Sequence, residues 1–151
     1  MKLGLISDTH GLLRDSAVTA LGGCDLIIHA GDVGNAEILE TLRGLAPVVA
    51  VRGNIDTGEW AQALPLTAEA DVGGARILVI HNVRDIRTDP AAAGYRIVVS
   101  GHSHKAASVV KNGVLYLNPG AAGPRRFRLP ITTGMVDLAV KPWVLQLIDI
   151  G

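Results

Sequence analysis

The strongest constraint on the fold lies in three short apolar runs near the N-terminus, residues 3–6, 25–30 and 48–51, which hardly alternate with polar residues. A strand wetted on one side alternates, so continuous apolar strands belong to a sheet covered on both faces. Residues 15–21 lie between the first two runs, with Ala17, Val18 and Leu21 on one helical face and Gly22-Gly23 as the stop. Residues 36–45 lie between the second and third, repeating Ile38, Leu39, Leu42 and Leu45 at the helical period before Pro47 breaks it. Strand, helix, strand, helix, strand in this form predicts a parallel sheet.

The second half changes character. Residues 76–80, 96–100, 107–110, 114–117, 131–138 and 144–150 are all strand-like, separated by Gly and Asn/Gly turns. Asn112-Gly113 reads as a tight hairpin turn. Only the stretch around residues 84–94 offers another helix. The chain is therefore expected to begin α/β and end largely antiparallel, an α/β (α+β) protein with two sheets face to face and helices outside. No repeat, low-complexity run or linker divides residues 1–151, which predicts a single domain.

Composition narrows the function classes. A chain of 151 residues removes roughly 70% of its unfolded surface from water, enough for a core without disulfides. The lone Cys24 reads as buried filler. Lys and Arg number 14, as do Asp and Glu, so no net basic surface marks a nucleic-acid or anionic-membrane binder. With 3% aromatic residues, a base-stacking platform is not expected. No apolar run approaches ~18 residues, and Asp8 interrupts the N-terminus before a signal-peptide core develops. The expectation is a cytoplasmic protein with no membrane partner and no dedicated nucleic-acid surface. The balanced composition permits a homo-oligomer without demanding one.

Five small polar motifs each follow directly on an apolar strand: Asp8-Thr9-His10, Gly31-Asp32, Gly53-Asn54-Ile55-Asp56, His81-Asn82 and Gly101-His102-Ser103-His104. Sites in open α/β sheets form beyond the carboxyl ends of the strands, so these motifs would converge on one edge. Asp8 and His10 are two apart, as are His102 and His104, a spacing at which extended backbone points both side chains the same way. The donors are imidazoles, carboxylates and one amide carbonyl, without a thiolate. Such a set suits manganese, iron, zinc or magnesium rather than copper(I) or an iron–sulfur cluster. The motifs offer three or more imidazoles, two or three carboxylates and one amide, and about seven ligands are too many for one tetrahedral ion and suit two ions sharing a carboxylate. His29 lies inside the second strand and reads as a packed residue or a hydrogen-bonding support for the site.

The motif order Asp-x-His, Gly-Asp, Gly-Asn, His, Gly-His-x-His resembles the calcineurin-like metallophosphoesterase superfamily over the whole chain. Residues 51–56, together with Asn118-Pro119-Gly120 and Pro124-Arg125, resemble its small prokaryotic phosphodiesterase branch. The resemblance implies a four-layer αββα sandwich and two divalent ions, manganese foremost, with iron, zinc, nickel or magnesium as alternatives. Asp8, His10 and His104 would hold one ion, Asn54, His81 and His102 the other, and Asp32 would bridge them. Two cations about 3.5–4 Å apart clamp a phosphate and lower the pKa of a shared water. The implied reaction is in-line hydrolysis of a small phosphodiester by a bridging hydroxide, with Asp32, Asn54 and His102 at the reacting centre.

Departures from the pattern shape the substrate side. Ile55 stands where many members carry a His that protonates the leaving group, and Asp56 is expected to be structural. Asn82 and Val83 follow His81 where Gly is usual, and Asn82 is a candidate donor to phosphate. Ala121 stands where Ser is commoner. Arg125 is the candidate guanidinium for a second phosphate oxygen or ester group. Alternatives on the same scaffold are a phosphomonoesterase, a cyclic-nucleotide hydrolase, and a non-catalytic scaffold resembling a eukaryotic retromer subunit.

Overall fold

A computed structural model describes the chain from Met1 to Gly151. The strands are β1 (Lys2–Ile6), β2 (Leu26–His29), β3 (Val48–Ala50), β4 (Thr67–Val72), β5 (Ala75–Ile80), β6 (Ile97–Val99), β7 (Ala107–Lys111), β8 (Val114–Asn118), β9 (Thr132–Asp137) and β10 (Gln146–Asp149). The helices are α1 (Asp15–Leu21), α2 (Ala36–Arg43) and α3 (Glu59–Gln62), with a 3-10 turn at Val83–Asp85. The strands form two sheets, in the orders β10-β9-β1-β2-β3 and β4-β5-β6-β8-β7.

In the first sheet β1, β2 and β3 run parallel, with Leu5 opposite Ile28 and Ile28 opposite Val49. Their apolar runs are continuous because both faces are covered. Leu3, Leu5, Leu26 and Ile28 meet Ile77, Val79, Ile97, Val99, Leu115 and Leu117 of the second sheet. Ile6 and Ile27 point the other way, onto Ala17 and Leu21 of α1 and Ile38, Leu39 and Leu42 of α2. Asn35 starts α2 by accepting the Ile38 N–H at 3.2 Å.

The two-sheet sandwich is as expected, with corrections in its second half. That sheet is mixed: β5, β6 and β8 run parallel, flanked by antiparallel β4 and β7. β4 escapes sequence reading because Glu69 and Asp71 interrupt it with residues depleted in strands, tolerated on a sheet edge. Four-residue α3 is too short to show a period. Residues 84–94 do not form an α-helix. Asp89 precedes Pro90 and is disfavoured from helical backbone, and Gly94 turns the chain at φ 87°. The segment still covers the outer face of the second sheet, laying Ile86, Ala93 and Tyr95 over Leu78, Ile80 and Val98. The fourth layer is therefore turns rather than helix. The 112–113 hairpin is as read, with both residues at positive φ. No helix is long and apolar enough to cross a membrane.

Ile77 is fully buried between the sheets. Ile77→Ala is expected to lower the unfolding free energy in urea by about 2–5 kcal/mol, the usual range for such truncations.

Candidate metal centre

Parallel pairing within each sheet puts the carboxyl ends of β1, β2 and β3 beside one another, and likewise those of β5 and β6. The two groups of loops meet at one end of the sandwich. The Asp8 N–H donates to the Gly31 carbonyl at 3.0 Å and the His10 N–H to the Asp32 carbonyl at 2.9 Å. Across the sheets, the His102 N–H donates to Asp8 Oδ2 at 3.1 Å. Close approach explains two glycines. A Cβ on Gly101 would lie 2.5 Å from Asp8 Oδ2, and one on Gly53 would overlap the Asp32 backbone nitrogen and Oδ1.

The loops reach this arrangement through left-handed backbone. Asp8, His10, Asp32, His102 and His104 have φ of 55°, 46°, 55°, 71° and 62°. This corrects the expectation of extended pairs. Nor do His102 and His104 point together: the His104 ring lies 5.2 Å from that of His10, whereas the His102 ring lies 5.2 Å from that of His81. A non-glycine residue in this region costs of order 1–2 kcal/mol, so the surrounding hydrogen bonds must hold each one there.

Both carboxylates use one oxygen for the protein and turn the other inward. Asp8 Oδ2 accepts from Ser7 Oγ at 2.7 Å as well as from His102 N. Its Oδ1 faces His104 Nε2 at 3.4 Å and His10 Nε2 at 3.7 Å. Asp32 Oδ1 accepts from the Ile55 N–H at 3.1 Å. Its Oδ2 faces His10 Nε2 at 3.4 Å and His81 Nε2 at 3.3 Å, touching both halves of the cluster. Asp8, His10 and His104 form one set of clustered donor atoms, and Asp8, Asp32 and His81 a second. Asn54 and His102 are exposed at the rim.

Electrostatics divide the carboxylates. Burial pushes the Asp8 carboxyl up, against the Ser7 hydrogen bond and the imidazoles of His81 and His104. Burial also opposes charge on Asp32, but the neighbouring His81, the Ile55 N–H and the His10 imidazole outweigh it and hold the carboxyl at about 2. Burial depresses His81, yet Asp32, the Ala30 carbonyl and Asp8 raise it overall. His104 is lowered, first by burial and further by His10 and Arg126.

The donor set fits divalent cations. Asp8 Oδ1, His10 Nε2 and His81 Nε2 are buried without a hydrogen-bond partner, an expensive arrangement unless something else satisfies them. The ring of His81 is also oriented for it. Its Nδ1 lies 2.7 Å from the Ala30 carbonyl, which accepts, so Nδ1 carries a proton and Nε2 is the atom turned inward, where the neutral ring would offer its lone pair to a cation.

Several residues hold the cluster in place. Gly31 donates to His29 Nδ1 at 3.1 Å, so His29 Nε2 carries the proton and donates to Thr9 Oγ1, which donates to the Val33 carbonyl. Asp56, nearly buried, accepts from the backbone of Val33, Gly34 and Gly53 at 3.2, 2.9 and 2.8 Å, tying the Asp32 loop to the Asn54 loop. Asn118 donates to the Gly101 carbonyl and Ser103 Oγ at 3.0 and 3.2 Å. Ser7 and Thr9 carry no motif of their own, and their only sequence signal is a small polar residue on either side of Asp8.

The substrate-side candidates divide. Asn82 stands between two grooves that border the cluster, of about 560 and 620 Å³. Its Oδ1 accepts the Arg84 N–H at 3.0 Å, leaving the amide nitrogen for other partners. Arg125 is exposed and donates to the Leu129 carbonyl of its own loop at 3.2 Å. It is Arg126 whose charge is felt at His104.

The class that fold and cluster define is that of metal-dependent phosphoesterases, and comparison with known proteins agrees. The family described as the calcineurin-like phosphoesterase superfamily domain matches residues 1–141, and the chain belongs to that superfamily. It is 35% identical over 140 residues to a Bacillus subtilis protein named "Probable metallophosphoesterase YsnB", covering 85% of this chain and 79% of that one. It is 29% identical over 162 residues to the Escherichia coli phosphodiesterase YfcE, covering 91% and 88%. The structure of vacuolar protein sorting 29 from Cryptosporidium parvum shares the fold, with TM-score 0.83 at 22% identity over 99% of this chain and 91% of that one.

Two outcomes follow for the metal-free protein. Burial and the nearby His81 pull His29 from 6.5 to about 3. Below pH 6.5 the unfolded chain takes a proton that the folded chain refuses, so stability falls with pH, by up to about 1.4 kcal/mol per unit. Urea melts between pH 7 and 5 should show a steeper loss in the wild type than in His29→Gln. Asp56→Ala strands three backbone donors and is expected to cost about 3 kcal/mol or more in the same assay.

Proposed function

We propose that this protein is a phosphodiesterase that uses two divalent cations, manganese foremost, to hydrolyse small phosphodiesters. The observation that carries the reading is the inward-facing set of buried donor atoms without partners, Asp8 Oδ1, His10 Nε2 and His81 Nε2. Under this reading Asp8, His10 and His104 hold one ion, and Asn54, His81 and His102 the other. Asp32 serves both, supported by its Oδ2 lying within 3.4 Å of His10 and 3.3 Å of His81. The nitrogen and oxygen donors also suit iron, zinc, nickel or magnesium. When bound, the ions would activate water and neutralise charge on the phosphate.

The chain's own residues do the rest. The Ala30 carbonyl keeps the His81 lone pair inward, and the Ile55 N–H fixes the rotamer of Asp32. Asn82 and the arginines of the 125–126 loop supply donors for phosphate oxygens. Ile55, 43% exposed beside Asn54, has no proton to give a leaving group. Substrates with good leaving groups are therefore favoured. Two grooves flank the 82–84 turn, which gives each ester arm of a diester its own path and favours diesters over monoesters. The E. coli relative is named a phosphodiesterase. Retention of a ligating residue at all seven candidate positions favours hydrolysis over a scaffold role.

Manganese-loaded protein should hydrolyse bis(4-nitrophenyl) phosphate faster than 4-nitrophenyl phosphate, and a chelator should abolish both activities. Elemental analysis should find two ions per chain. His81→Ala should lose more than about 100-fold in rate, beyond the usual effect of residues that only support a ligand. Faster turnover of the monoester, or no turnover with any of the five metals, would overturn the reading.

A further inference from the structure

We propose that the groove between the 82–84 turn and the β7–β8 hairpin is a subsite for a ring-bearing alcohol of the substrate, aryl or nucleoside, that carries a second anionic group. The proposal rests on the phosphodiesterase reading and names the kind of diester. Pairing in the hairpin sets Val109 opposite Tyr116 and Lys111 opposite Val114. Leu115 and Leu117 face the other sheet, so by alternation Tyr116, Val109 and Lys111 share the outer face. Tyr116 is half-buried there, whereas Val109 is 55% exposed. Across the groove stands Val83, 42% exposed. These three side chains make an apolar bed with an aromatic ring, the surface on which a planar group stacks.

One end of the bed opens on the cluster. The groove reaches Gly101, His102 and Ser103, and Asn118 ties Gly101 and Ser103 to the Ala107–Asn118 end of the hairpin. From Ala107, Val109 lies two residues along β7 and Lys111 four, or roughly 7 and 13 Å at strand spacing. With a phosphodiester at the cluster, a ring laid along the groove meets Tyr116, and the flexible side chain of Lys111 can fold back toward an anion carried beside that ring. The lining charges agree, since Arg84, Lys105 and Lys111 border this groove and no carboxylate does. The companion groove holds Arg52 and Arg87 but also Asp85, and lacks a Tyr, Phe or Trp.

The test uses manganese-loaded protein and three esters with the same leaving group: methyl 4-nitrophenyl phosphate, thymidine 5′-(4-nitrophenyl) phosphate and the 3′-phosphorylated form of the latter. Wild-type kcat/KM should rise about tenfold from the first to the second and about fivefold more to the third. Tyr116→Ala should collapse the thymidine-to-methyl ratio through KM, and Tyr116→Phe should restore it. Lys111→Glu, on an exposed strand, should remove the gain from the 3′-phosphate. Calorimetry with thymidine 3′,5′-bisphosphate provides a readout independent of turnover, with weaker binding expected in Tyr116→Ala and Lys111→Glu. Equal kcat/KM for all three esters, or methyl-ester turnover with no bisphosphate binding, would overturn the subsite alone. Bisphosphate binding through Tyr116 and Lys111 with no ester cleaved would support the subsite and overturn the phosphodiesterase reading.

Discussion

The site depends first on how Asp8 divides its carboxylate. One oxygen takes hydrogen bonds from Ser7 and from the backbone of His102, and the latter joins the ends of two different sheets. The other oxygen is left inside the cluster without a partner. Asp8 therefore helps lock the two halves of the sandwich at their carboxyl edge, as the His81–Ala30 hydrogen bond also does, and presents a donor atom in the gap it closes. Asp32 repeats the scheme between the Asn54 loop and the imidazoles. Rigidity and reactivity are thus drawn from opposite oxygens of the same groups, as expected where polar side chains must be positioned to fractions of an ångström.

Much of this could be read in advance because it rests on strong local signals. The continuous apolar strands at β1, β2 and β3 demanded a sheet buried on both sides, and the polar motifs sat where such strands stop. What stayed hidden depended on tertiary context. β4 carries acids on a sheet edge, where solvent rather than pattern decides their fate. The segment over 84–94 had helix-compatible composition but packs as turns, because Asp89-Pro90 stops regular backbone while Ile86 and Tyr95 are still drawn onto the sheet. The separation of His102 from His104 was equally out of reach. Their spacing predicts a shared direction only in extended backbone, and both residues are left-handed.

Formal neutrality of the chain hides a local order of charges. Asp8 and Asp32 sit buried at the site, whereas Arg52, Arg87, Arg84, Lys105 and Lys111, against the single acid Asp85, line the two grooves that lead away from it. Such an arrangement attracts cations to the floor and anions to the walls. Equal totals of acids and bases say little when each kind has its own place.

The left-handed conformation of Asp8, His10, Asp32, His102 and His104 has a consequence for how the family can diverge. Each position holds a side chain at a backbone geometry that glycine adopts freely and asparagine tolerates. A lineage released from selection for hydrolysis would relieve that strain most readily at His10, His102 and His104, whose side chains tie no loop, whereas Asp8 and Asp32 also hold neighbouring loops in place, so glycine and asparagine are the replacements easiest to accept at the three histidines. Decay of the site would then leave its own trace in the sequence. Residues at strained turns would change first, while the sandwich built from β1 to β10 persisted almost untouched.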